Sequence, residues 1–234
     1  MEAIDAARAL IERDFPDCLA AFLAGSVVRG EATATSDLDI MVIRGPEQET
    51  FRESLRDFGW PIEVFVHTEE THRRFAASDA ARRRPATSRM VCEGIILVDQ
   101  DGLATQLKQD ACALLAQGPP PLDEDRIAMA RYSLTDLLDD LIGCQDETEG
   151  RFIAQLLAEQ SADLIVDIHG QWRGQGKWLP RALGVVDPSL PVELSDALRE
   201  YYCQGDCTAL ITFAKKTLDL AGGPLWDGFR LTSN

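Results

Sequence analysis

The chain has 234 residues, 45% hydrophobic and 26% charged, a balance that suits one large folded domain or two modest ones. Its formal net charge is −16, with 13 basic against 20 acidic residues before Gly118 and 10 against 19 after it, so neither half hides a basic domain. Non-specific nucleic-acid affinity comes mainly from Lys and Arg on phosphates; this charge argues against a polynucleotide partner and favours a small neutral or cationic substrate.

The first half alternates helix and strand patterns. Ile4, Ala7, Leu10 and Ile11 recur at helical spacing over residues 2–14. Residues 18–24 predict a short buried strand, after which Gly25 and Ser26 turn the chain into a short helix. Residues 38–43 predict a second strand, bounded by Gly45-Pro46. Residues 47–58 predict a helix ending near Gly59, and 61–66 a third strand with Pro61 at its permitted first position. Thr68 or Thr71 is a candidate cap for a helix running toward Arg82. The basic run Arg82-Arg83-Arg84 reads as a solvated loop. A fourth strand is expected at 95–98 and a helix at about 103–116.

Gly118-Pro119-Pro120-Pro121 marks a boundary, since three prolines cannot continue a helix and favour a stiff link. Beyond it the period is helical almost throughout. Asp123 caps a first helix, 148–168 forms a second, and further helices are expected near 177–184, 192–203 and 206–221. The expected architecture is an α/β domain with a small mixed sheet, residues 1–118, followed by an all-α helix bundle, residues 119–234.

No run of about 18 apolar residues appears, so no membrane span is expected. The N-terminal stretch lacks the basic start and unbroken apolar segment of a signal peptide, and a cytoplasmic location is expected. The six cysteines then read as reduced, mostly buried thiols rather than disulfides. Cys203 and Cys207, four apart, suit one helix face but lack further ligands for zinc. Neither composition nor spacing indicates an oligomeric state.

One segment carries chemistry: Gly25-Ser26-Val27-Val28-Arg29-Gly30, then Ser36-Asp37-Leu38-Asp39-Ile40. Asp37 and Asp39 are two apart in a strand-like stretch, and side chains at that spacing leave the same face. Two carboxylates on one face repel each other unless protonated or bridged by a cation, and hard oxygen ligands suit Mg²⁺. Leu38 and Ile40 point the other way, into the core. Gly25 lets a phosphate approach the backbone, and a helix starting at Ser26 would offer unpaired N–H groups. Glu63 lies between Ile62 and Val64. An acid there is costly unless it is ion-paired or coordinates a cation, and it joins Asp39 if the two strands are neighbours.

These motifs resemble the DNA polymerase β-like nucleotidyltransferase superfamily. The helical second half adds a likeness to the two-domain antibiotic, or aminoglycoside-type, nucleotidyltransferases. The motif covers about 40 residues and the layout the whole chain. The resemblance implies that Asp37, Asp39 and Glu63 are catalytic ligands of two Mg²⁺ ions. ATP or another nucleoside triphosphate would be the donor and a small-molecule hydroxyl the acceptor, aminoglycoside-like antibiotics included. Gly25 and Ser26 would cradle the triphosphate, with Arg29 bracing the turn or touching phosphate. In similar two-domain transferases a lysine of the helical domain reaches the triphosphate, and Lys177 is the candidate here. Asp136, Asp139 and Asp140 either face a cationic substrate or face water. Two other readings are a protein adenylyltransferase, as in toxin–antitoxin systems, and a nucleotide-binding module without catalysis.

Overall fold

The computed structural model describes residues 1–230 and divides into two compact units, one from Met1 to Gly118 and one beginning at Pro119. The first is a small mixed sheet with flanking helices. Its elements run α1 (Ala3–Asp14), β1 (Ala20–Ala24), β2 (Leu38–Arg44), β3 (Phe51–Asp57), β4 (Trp60–Thr68), α2 (Glu69–Ala81), α3 (Ala86–Glu93), β5 (Ile95–Asp99) and α4 (Leu103–Gln117). The strand order is β3-β4-β2-β1-β5, with β2 and β4 parallel and the other neighbours antiparallel.

Side-chain alternation sorts the strands into two faces. Ala21, Leu23, Leu38, Ile40, Val42, Ile62, Val64 and Val66 pack against Ala6, Ala7, Leu10 and Ile11 of α1. Ala20, Phe22, Met41 and Ile43 face the other way, onto Val91 of α3 and Ala104, Leu107 and Ala111 of α4. With both faces covered, β1 and β2 read as nearly continuous apolar runs. Phe22 is fully buried, and Phe22→Ala would cost about 3–5 kcal/mol.

Several local expectations are corrected. Residues 51–57 form an edge strand, not the second half of a helix at 47–58. Phe51 and Leu55 point to the α1 layer while Arg52, Ser54 and Arg56 alternate outward, so the governing period is two. A two-residue turn, Phe58-Gly59, closes the β3–β4 hairpin with φ of 52° and 84°, as a type I′ turn requires. The segment after Gly25 closes as a turn over residues 26–30, with the Glu31 amide donating to the Ser26 carbonyl at 2.9 Å, and no helix starts there. Cys92 and Cys112 form a disulfide that joins α3 to α4, rather than standing as reduced thiols. They lie 20 residues apart but on packed helices, with Cα atoms 5.0 Å apart, which only the tertiary fold brings about.

Thr68 caps α2 through a reciprocal box with Thr71. The run after α2 is not a simple solvated loop: Arg83 is 3% exposed with φ of 59°, and Asp79, itself buried, accepts from Arg82 and from the Thr87 amide and hydroxyl. The short helix α3, which periodicity had not indicated, follows from Ala86.

The second unit is helical: α5 (Glu124–Gly143), α6 (Glu147–Ile168), α7 (Trp178–Val186), α8 (Leu190–Gln204) and α9 (Thr208–Leu220). Asp123 caps α5 and Asp146 caps α6 by accepting backbone N–H bonds. Leu134, Leu138, Leu157, Ile165, Leu183, Leu194, Leu210 and Phe213 meet in one core. Gly205, with φ of 74°, ends α8 and separates Cys203 from Cys207, so the two cysteines do not share a helix. No helix among the described residues is long and apolar enough to cross a membrane.

Candidate active site

The parallel pairing of β2 with β4 sets Asp39 directly beside Glu63. Both side chains leave the sheet on the α3–α4 side, since Leu38, Ile40, Ile62 and Val64 fill the opposite layer. Asp37 immediately precedes β2 and adds a third carboxylate. One oxygen from each of the three lies within 4.8 Å of the others, and all three residues are half-buried. At that spacing each charged pair repels by roughly 1–3 kcal/mol, depending on the effective dielectric. A divalent cation relieves that repulsion, and three hard oxygens are the donor chemistry that Mg²⁺ takes. The donor set therefore fits such an ion.

The turn after β1 closes tightly over this cluster. Gly25 has φ of 88°, and a Cβ placed on it would stand 2.4 Å from Asp39 Oδ2. Only glycine combines that backbone with that approach. Ser26 Oγ donates to Ser36 Oγ at 2.9 Å, and Ser36 Oγ in turn accepts from the Thr33 amide at 2.9 Å. This chain of bonds ties the turn to the residue just before Asp37. Arg29 donates to Glu31 and, at 3.0 Å, to Glu93 at the end of α3, so it braces the turn against a helix of the same unit.

Glu63 combines two of the environments considered for it. It is part of the acid cluster, and its Oε2 also accepts from Arg52 Nη2 at 2.6 Å. Ser54, directly opposite Glu63 across the β3–β4 ladder, donates to Oε1 at 3.5 Å. Arg52 and Ser54 were hidden by the expectation of a helix over 47–58. The usable signal was the alternation Arg52, Ser54, Arg56 against Phe51 and Leu55, followed by the turn at Gly59.

On the same sheet face, His67 and His72 lie with ring centroids 6.3 Å apart. Burial pushes the imidazole of His72, on α2, down to about 4, and it lowers that of His67, on β4, as well.

The remaining candidates belong to the second unit. Lys177 is exposed at the N-terminus of α7, beside Trp178, whose ring lies 4.8 Å beneath the Arg181 guanidinium. Asp139 and Asp140 are exposed on α5 and Asp136 is half-buried.

Residues 6–77 match a family model described as nucleotidyltransferase domain. That span holds the Gly25 turn, β2, β3 and β4, and with them all three carboxylates. A comparison with curated proteins finds no significant match. Among solved structures, the chain is similar to the crystal structure of a nucleotidyltransferase-like protein from Exiguobacterium sibiricum 255-15. The two share 14% sequence identity with a TM-score of 0.49, over 94% of this chain and 74% of that one.

Proposed function

The chain carries a nucleotidyltransferase domain of the superfamily its motifs resemble, and from that premise we propose that it transfers a nucleoside monophosphate, AMP from ATP, to a hydroxyl of a small molecule. The observation that carries this reading is the meeting of Asp37, Asp39 and Glu63 within 4.8 Å, under a glycine turn that admits nothing larger.

In this reading Asp37, Asp39 and Glu63 hold the divalent ions. Bound there, two Mg²⁺ supply Lewis-acid polarisation of the α-phosphoryl group and neutralise charge on the attacking and leaving oxygens. The chain's own groups do the rest. The acceptor oxygen forms a bond to the α-phosphorus, the bond to the bridging oxygen breaks, and pyrophosphate departs. Glu63 is the carboxylate assigned to take the acceptor's proton. Gly25 and Ser26 are assigned to the triphosphate, and Arg29 keeps that turn in place.

The test is pyrophosphate release from ATP with Mg²⁺ across a panel of hydroxyl-bearing small molecules, aminoglycosides among them. Acceptor-dependent release is expected, with Asp39→Ala lowering it by at least a hundredfold while circular dichroism is unchanged. Near-normal activity in Asp39→Ala would sink the site assignment. ATP binding without release for any acceptor would sink the small-molecule reading.

A further inference from the structure

The edge strand β3 brings a cation to the acid cluster. Ser54 stands opposite Glu63 and Arg52 opposite Phe65, so Arg52 reaches Glu63 diagonally across one sheet face. Its Nη2 donates to Glu63 Oε2 at 2.6 Å, and its guanidinium lies 4.9 Å over the Phe65 ring. The Arg52 side chain is 59% exposed against 26% for Glu63. The guanidinium is thus the more solvent-exposed partner of the pair.

A guanidinium and a divalent ion satisfy the same need of Glu63, since each supplies the positive charge that lets this carboxylate lie near Asp37 and Asp39. They also repel each other. We propose that Arg52 is a built-in counter-ion of the acid cluster, which a divalent cation has to displace, so that this residue sets the metal affinity of the site. The guanidinium already lies over the Phe65 face while it is paired with Glu63, a contact that does not depend on that carboxylate. This inference rests on reading Asp37, Asp39 and Glu63 as metal ligands.

A competitor and a brace predict opposite signs. If Arg52 only held Glu63 in position, removing it would loosen the site and weaken metal binding. As a competitor, its removal strengthens binding. An exposed ion pair is weak enough that the gain is small, on the order of two- to fivefold.

The probe is Mn²⁺ alone, with free ion measured by electron paramagnetic resonance at fixed ionic strength. Arg52→Gln is expected to bind Mn²⁺ about two- to fivefold tighter than the unaltered chain, and Arg52→Lys to fall between the two. Arg56→Gln removes the same charge from the same strand, four residues further along. It is expected to leave the affinity near that of the unaltered chain. Unchanged or weaker binding in Arg52→Gln overturns the proposal, as does an equal gain in Arg56→Gln, which would make the effect one of general charge. Asp39→Asn and Glu63→Gln separate this from the reading beneath it. If both keep full Mn²⁺ affinity, the metal-site assignment itself fails; if both lose it while Arg52→Gln gains nothing, only the role of Arg52 falls.

Discussion

Gly25 shows how much of the site depends on one absent methyl group. Its φ of 88° is one that other residues reach only at a cost of roughly 1–2 kcal/mol. The larger effect is local, because a Cβ would meet the Asp39 carboxylate at 2.4 Å. Gly25→Ala is therefore expected to lower transfer by at least tenfold while destabilising the first unit by about 1–3 kcal/mol. Urea unfolding and pyrophosphate release measure the two effects. Activity within twofold of the unaltered chain would mean that the turn tolerates movement and that Asp39 is not held by it. That a glycine turns the chain after the first strand was legible. That the first group it admits is Asp39 was not legible, because the contact spans separate strands.

At the scale of elements, packing sets the site. The pairing of β2 with β4 was inferable only as a condition, since nothing local chooses the neighbour of a parallel strand. Burial chose it: Ile62, Val64 and Val66 join Leu38, Ile40 and Val42 under α1, and that register carries Glu63 to Asp39. The helix expected over 47–58 failed for a related reason. Its residues are mostly polar, so only Phe51 and Leu55 mark the period of two, which pairing with β4 fixes. The disulfide between α3 and α4 belongs at this scale too. Closing a loop of 20 residues stabilises a fold by about 3 kcal/mol in the chain-entropy account. A thiol reductant is expected to lower the urea stability of the unaltered chain by about that amount. A Cys92→Ser/Cys112→Ser variant should start from the lower value and not respond. Identical urea midpoints with and without reductant would count against a role for this bond in stability.

For the whole molecule, charge is the dominant long-range quantity. A net −16 repels an anionic nucleotide at distances that only salt shortens, with a screening length of about 10 Å at 0.1 M. Capture of the magnesium–nucleotide complex should therefore improve with ionic strength. The KM for ATP is expected to fall by a few-fold between 10 and 150 mM NaCl. A rise over the same range would point to a local cationic surface that outweighs the average.

Much of this protein was set by short-range pattern. The Gly25-Ser26 and Asp37-Leu38-Asp39 motifs, the buried strands at 20–24 and 38–44, and the long capped helices α5 and α6 all follow from spacing, because side-chain alternation and helical period act within a few residues. The tertiary structure alone decided which separated residues became neighbours: Glu63 beside Asp39, Arg52 on Glu63, Arg29 on Glu93, and Cys92 bonded to Cys112. Those choices depend on which apolar faces bury each other, and the free energy of burial is a property of the assembled layers rather than of any one segment.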